Sequence, residues 1–450
     1  MSQVIKNDDR TIFGWAMYDW ANSAYITTLG AIMAAFFTGT IVPEEGFAGQ
    51  SGETLWAYVV SLGSFILFLV MPMLGAVADY AAAKRRLLRN FAILGAITTI
   101  ALPLVPDGWV IAFLFVVLIS QIGFVAANVF YDSFLPVITS DDTIDKVSSR
   151  GFAYGYIGGG LYLVLALVLI LMSGDDGVTG LSTSLAARIS IGGAGVWWLV
   201  FSVVALRRLP EEGEPRPLPP EMAESPRWLA YARVGFREAW KTTKLLRGFP
   251  ALLLFVAAFF LYNNGINTII AVTGAYAEET LGLGTTEIII TFLIVQFVAF
   301  GGALMFGWIA GRIGTKNAIV ISLLIWIGVT VAGYLLPAGQ ATPVYVLGAV
   351  VGLVLGGSQA LSRSLYGSMI PEEASAEFFG FFTVFSKASA VLGTLAFGVV
   401  SSITGSGRPA ILSIVAFFVI GLLLLLRVNV DEGRASRDDW AVSATESSGS

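Results

Sequence analysis

Four charged residues, Asp19, Asp132, Arg363 and Lys387, each fall inside a long apolar run of this chain. An ionisable group within a bilayer costs about 2.5 to 3.5 kcal/mol on insertion scales, so each marks a candidate site. Two acids and two bases sum to zero charge, and a low-dielectric interior favours their pairing. The guanidinium of Arg363 suits a carboxylate, held bidentately. Asp19 or Asp132 suits an ammonium, with tyrosine and tryptophan faces assisting. Such a set fits a small zwitterion with an apolar side chain.

Amides and aromatic residues surround these charges. Asn22, Tyr262, Asn263, Asn267 and Gln359 join the four as candidates for cargo binding or coupling. Tyr18, Trp20, Tyr25, Asn128, Tyr131, Asn264 and Gln296 could add polar or amphipathic lining. Amides within a span require partners or water. Coupling to protons needs a group that gains and loses one, and without histidine only Asp19 and Asp132 lie deep enough. A cargo competing for Arg363 would free one of them to exchange a proton. Another use of Asp132 and Arg363 stays open beside this one: a gate that closes one side of the protein and never touches cargo. Asp19 could instead cap local backbone, and Lys387 could snorkel toward the membrane surface.

The rest of the composition narrows the chemistry. Of 450 residues, 56% are hydrophobic and 13% charged, with a mean hydropathy of +0.79. A soluble domain carries about 25% charged residues, so this balance reads as membrane. With no cysteine and no histidine, thiolate nucleophiles, imidazole bases and zinc-thiolate sites are excluded. No phosphate-binding glycine loop of the Walker type is present, which speaks against ATP-driven transport by this polypeptide alone. The basic residues are divided among membrane-flanking loops, so nucleic-acid binding is not expected. Neither a cofactor nor a metal is expected, and no catalytic site.

A bilayer needs roughly 20 apolar residues per helix. Twelve runs qualify: 12–40, 54–80, 87–106, 109–138, 149–173, 185–207, 248–277, 284–312, 316–336, 341–369, 376–404 and 407–427. The first run follows a polar start without a cleavage pattern, so it reads as a span. With both termini in the cytoplasm, 22 of the 26 basic residues fall on the cytoplasmic side. That is the orientation the positive-inside rule selects.

Residues 1–11 then form a cytoplasmic N-terminus, 12–207 and 248–427 two six-helix bundles, 208–247 a linker, and 428–450 a polar tail expected to be disordered. In the linker Trp228, Ala232, Phe236 and Trp240 recur at a spacing of four, beside Arg233, Arg237, Lys241 and Lys244. That pattern suits an amphipathic helix on the cytoplasmic leaflet. Gly155 and Gly159, and Gly307 and Gly311, are spaced for close helix approach.

The halves repeat. Gly75-Ala-Val-Ala-Asp79 through Lys84 is answered by Gly307-Trp-Ile-Ala-Gly311-Arg312 through Lys316. Asp132-Ser133-Phe-Leu-Pro136 is answered by Gly367-Ser368-Met-Ile-Pro371, Gly151-Phe152 by Gly380-Phe381, and Tyr18-Asp19 by Tyr262-Asn263. Four matches in order indicate a duplicated six-helix unit.

On these residues the chain resembles the major facilitator superfamily, over roughly 12–427. Its hallmark loop is Gly-x-x-x-Asp-Arg/Lys-x-Gly-Arg-Arg/Lys. The first copy keeps Gly75 and Asp79, has Tyr80, Ala82 and Ala83 at the basic, glycine and arginine positions, and supplies Lys84 just beyond. The second has Gly311 in place of the acid and keeps Gly307, Arg312, Gly314 and Lys316. The resemblance implies an all-α integral membrane fold of twelve transmembrane helices in two pseudo-symmetric six-helix bundles. It also implies a cytoplasmic gate at Asp79 and a cavity lined by helices one, four, seven and ten. The string Tyr18-Asp19-Trp20-Ala-Asn22-Ser23, with Asp132-Ser133 and Gln359 to Leu365, is similar to the vacuole-effluxer-like branch, whose fungal members are associated with amino-acid efflux.

The expectation is a secondary transporter working by alternating access, exporting small neutral or apolar amino acids with proton coupling. An exporter of amphiphilic drug-like or lipid-like molecules, and a transport-dead receptor or scaffold, are the alternatives. Its expected partners are a small-molecule substrate, protons and membrane lipids. A monomer in a bacterial inner membrane is expected.

Overall fold

The computed structural model describes residues 5–174, 177–211, 214–219, 221, 226–245 and 248–448, and among them there is helix and no strand. Helices satisfy every interior backbone group locally, as a bilayer demands. Six precede the connector: α1 Asp9–Ile41, α2 Gly52–Tyr80, α3 Lys84–Leu104, α4 Val110–Ile138, α5 Ile144–Leu171 and α6 Thr183–Arg208. The connector helix α7 is Arg227–Leu245. Then follow α8 Pro250–Thr280, α9 Thr285–Ile313, α10 Thr315–Leu335, α11 Ala341–Ser368, α12 Ser375–Thr404, α13 Gly407–Arg427 and α14 Val430–Ser448. Side chains at the starts fix some boundaries: Asp8, Ser51 and Ser182 each accept a first-turn backbone N–H. Thr11, donating to Asp8 through both its hydroxyl and its backbone N–H, holds the Asp8 carboxyl below its usual range.

The duplication is visible in the packing. In the first half α1 packs on α5 and α6, α3 on α4 and α6, and α2 on α4. In the second half the same pairs recur seven helix numbers later: α8 on α12 and α13, α10 on α11 and α13, α9 on α11. The halves meet symmetrically, α2 against α12 and α5 against α9, with α4–α12 and α5–α11 beside them. The starts of α1, α8 and α12 and the ends of α2, α4, α6 and α11 share one face with α7 and α14, called here the termini face.

One expectation needs correction and one needs refinement. Among the described residues eleven helices are long and apolar enough to cross a membrane, and α12, at 30 residues, is the twelfth long helix of the expected two-bundle fold. In α12 the side chains of residues 387, 388, 390 and 391 lie outside the described residues, and the stretch beyond them, Leu392–Thr404, is apolar. The tail is not disordered: Val430–Ser448 is helical and docked. Its apolar Trp440 reaches Phe249 and Phe378, a long-range contact that polar composition conceals.

The connector helix forms, but its buried face is Ala230, Val234, Ala239 and Thr242. Gly235 lies so close to α2 that a Cβ there would stand 2.5 Å from Val77 Cγ2. Phe236 and Trp240 point away, exposed. The side chains of Trp228 and Lys241 lie outside the described residues.

Candidate functional site

Arg363 of α11 is 4% exposed. A buried guanidinium without partners would be prohibitive, and this one is enclosed. Its Nη1 donates to Asp132 Oδ1 of α4 at 2.9 Å and to Asp19 Oδ2 of α1 at 3.3 Å. Nε donates to Ser148 Oγ at 3.0 Å, and Nη2 to the Ser148 carbonyl at 2.9 Å. Tyr131 OH donates to Asp19 Oδ2 at 2.7 Å. The rings of Phe152, Trp15 and Tyr131 face the guanidinium at 4.2, 4.8 and 5.5 Å. Trp15 is itself stacked on Tyr131 at 4.5 Å and donates its indole N–H to the Tyr131 carbonyl.

Local sequence makes room for this cluster. A Cβ on Gly151 would stand 2.8 Å from Asp19 Oδ2 and 2.9 Å from Arg363 Nη2. One or two turns along α5, Gly155 and Gly159 bring the backbone against Ser23 and Thr27 of α1, as small residues do between membrane helices. Asp19, Asp132 and their surrounding rings belong to the first half, and Arg363 to the second. The site therefore exists only while the halves are closed at this face.

Other cross-half bonds lie around it. Nearer the termini face, Asp145 accepts from Ser364 Oγ and from Thr315 Oγ1, the latter at 2.6 Å. Asp79 accepts from the backbone N–H groups of Ala376 and Glu377, at 3.3 and 2.8 Å. It thereby caps α12, whose own N-cap residue, Ala374, offers no side chain for it. Lys84 pairs with Asp79 at 2.8 Å and donates to Ser375 Oγ at 2.7 Å. Gly75 permits the approach: a Cβ there would stand 2.3 Å from the Ala376 carbonyl. About one turn beyond Arg363, Tyr156 OH donates to Gln359 Oε1 at 2.6 Å. Among the described residues these bonds gather toward the termini face, which is thus the closed one.

The remaining candidates sit on either side of this seam. Asn22 donates to Asn128 at 2.6 Å, within the first half. In the second half Tyr262 OH bonds Ser362 Oγ at 2.7 Å. Asn263 and Asn267 both donate to Ser389 Oγ, at 2.8 and 3.4 Å. Asn264 is fully buried and leaves its Nδ2 without a partner among the described residues. The side chain of Lys387 lies outside the described residues.

In the second copy of the loop motif, Gly307 closes on Ser149, with a Cβ-to-Oγ distance of 2.5 Å for an added methyl. Arg312 lies over Trp308, and Lys316 donates to the Leu426 and Val428 carbonyls at the end of α13. Those two stay within their own half.

Arg363 is not presented to a cargo carboxylate in this state, because the protein's own acids and Ser148 hold it. Sequence reasoning missed Asp145, Ser148, Phe152 and Tyr156. Their spacing of three, four and four does mark one face of a helix. Ser389, the shared partner of two asparagines, carried no signal of its own.

A family model described as vacuole effluxer Atg22 like matches residues 51–438. An uncharacterised MFS-type transporter of Bacillus subtilis, YxiO, is 30% identical, with 91% of this chain and 93% of that one aligned. Autophagy-related protein 22-1 of Sclerotinia sclerotiorum is 26% identical over 84% of this chain and 74% of its own. Among solved structures the proton:xylose symporter XylE superposes with a TM-score of 0.71 at 16% identity, covering 93% of this chain and 95% of that one.

Proposed function

The chain belongs to the Atg22-like vacuole effluxer family of major facilitator transporters, and we propose that it exports small neutral or apolar amino acids in exchange for protons. It is a multi-pass membrane transporter acting on small molecules. The orientation we adopt puts the termini face in the cytoplasm, as the distribution of lysine and arginine favours.

One observation carries the reading: a single buried guanidinium on the second half is shared by two carboxylates on the first. The cluster is the inner gate. Arg363 leaves with α11 when the cytoplasmic side opens, while Asp19 and Asp132 stay with α1 and α4. A proton arriving from the outer side neutralises one carboxylate and weakens the hold on Arg363, so the gate opens inward. The proton leaves to the cytoplasm, cargo enters, and the pair re-forms as cargo is carried outward. Binding one state more tightly than the other is all that coupling requires. Cargo meets a polar ring about one turn further out, at Asn22, Gln359, Tyr262, Asn263 and Asn267, with Asn264, whose Nδ2 has no partner among the described residues, behind it.

A second reading has one observation in its favour. With Arg363 held by the protein itself, the outer ring offers, among the described residues, amides and hydroxyls and no cation for a carboxylate. An amphiphilic drug-like or lipid-like cargo would need none.

Proteoliposomes decide between them. The measurement is uptake and counterflow of labelled amino acids, with and without an imposed pH gradient. Saturable flux that the gradient stimulates, and that Asp19→Asn or Asp132→Asn uncouples, is the expected outcome. Absence of flux for every amino acid, in protein shown to be folded, rejects the amino-acid reading and moves the panel to amphiphiles.

A further inference from the structure

We propose that the C-terminal helix α14 is a releasable bolt across the closed face, fastened to the second half by apolar contacts and to the first by the charge pair of Arg437 with Asp141. Trp440 packs edge-on to Phe378 at 5.9 Å and tilted on Phe249 at 5.7 Å, both in the second half. Gly433 brings the helix against Met369, where a Cβ would stand 2.7 Å from the sulfur. Arg437 donates to the carbonyl of Ser368, the last residue of α11, at 2.9 Å. These contacts fix where the helix lies.

The same guanidinium also reaches across the seam. Its Nη1 and Nη2 meet the two carboxylate oxygens of Asp141, in the turn between α4 and α5, at 2.8 and 3.1 Å. That geometry is the bidentate fork that favours arginine. Opening this face must separate Asp141 from Arg437, whereas the Trp440 and Met369 contacts can travel with the second half. Asp141 is 45% exposed and Arg437 20%, so water and salt screen the pair and the hold is weak. A weak, exposed hold suits adjustment: whatever lifts α14 or screens the pair biases the transporter toward its inward-open state.

The inference rests on the alternating-access reading, and the test separates the two. The chain has no cysteine, so spin labels at Glu45→Cys and Ala338→Cys report alone. Both positions are exposed loops on the face opposite the termini, one in each half. Distances between them are measured by pulsed electron resonance in proteoliposomes, for the parent and for Arg437→Glu, Trp440→Ala and a chain ending at Asn429.

Each variant is expected to raise the ratio of short to long distances about twofold to fivefold, the range that an exposed ion pair supplies. Asp141→Arg combined with Arg437→Glu should return the parent ratio, and about 1 M salt should shrink the difference between parent and Arg437→Glu. Folded variants whose distributions superimpose on an interconverting parent overturn the bolt and leave alternating access standing. A parent with one fixed distance under every pH and cargo condition overturns alternating access itself.

Discussion

The α2–α3 turn and the α9–α10 turn descend from one motif and do different work. In the first, Asp79 reaches across the seam to cap α12, and Lys84 follows it to Ser375. In the second, Gly311 stands where the acid would be, and Lys316 turns back to the carbonyls ending α13. The interface beside the second turn still uses a carboxylate, but it comes from the opposite partner: Asp145 of α5 accepts from Thr315. Asp19 and Asp132 repeat the pattern at the centre, facing Arg363. Backbone duplication therefore preserved helix packing, while the charged groups of the central cluster separated, acids on one half and the guanidinium on the other. Under the proposed proton coupling, such a division would let a proton act on one half and be felt as a loosened grip on the other.

The largest break in this comparison is Arg363→Ala. Removing one member of a buried ionic set costs about 3 to 5 kcal/mol, because its partners keep their charge. Loss of flux and a lowered unfolding temperature are expected together. Adding Asp19→Asn and Asp132→Asn to it should restore much of the stability and none of the coupling. If thermal unfolding of the single variant matches the parent, the cluster is not holding the halves.

Glycines sharpen the contrast next. Gly75→Ala forces a methyl into the Ala376 backbone, an overpacking cost of about 1 to 3 kcal/mol. Gly311→Ala, with open space around its Cβ position, should be neutral. Distance measurements across the α2–α12 seam should shift for the first and not the second.

Asp79→Asn keeps the shape but removes the charge that serves both the α12 amides and Lys84. An effect of about 1 to 2 kcal/mol toward the inward-open state is expected, whereas Lys316→Ala should change that balance little. Equal effects of the two on transport rate would mean that the copies are functionally equivalent after all.

The smallest effect lies in the first turn, beside a larger one of opposite sign in the second. At the motif's glycine position Ala82 has φ of +46°, and Gly314 has φ of +87°. An alanine in the left-handed region is strained by about 1 kcal/mol, so Ala82→Gly should raise thermal stability slightly. Gly314→Ala, at a conformation that glycine alone adopts readily, should lower it by about 1 to 3 kcal/mol. Thermal unfolding of both variants checks the opposite signs.

Much of this molecule was legible in advance because the signals are local. An apolar run long enough for a bilayer is a statement about transfer free energy, and it needs no knowledge of neighbours. The same holds for the buried charges: Asp19, Asp132 and Arg363 announced themselves by their cost alone. Asp145 did not, because it sits where a span meets a loop and a carboxylate there is unremarkable. The tail misled for the same reason, since its polar composition says nothing about Trp440.

The sequence by itself determined that the chain is a helical membrane protein, that it is built twice, and which interior residues are too costly to be idle. Only the tertiary structure decided that Arg363 serves both aspartates, that Ser148 completes its enclosure, and that α14 lies across the seam. Those partners are 215 to 344 residues away for Arg363 and 296 for Arg437. No local preference selects among donors and acceptors so far apart. The choice is made when two packed six-helix bundles meet and each buried charge takes the partner that their geometry brings within reach.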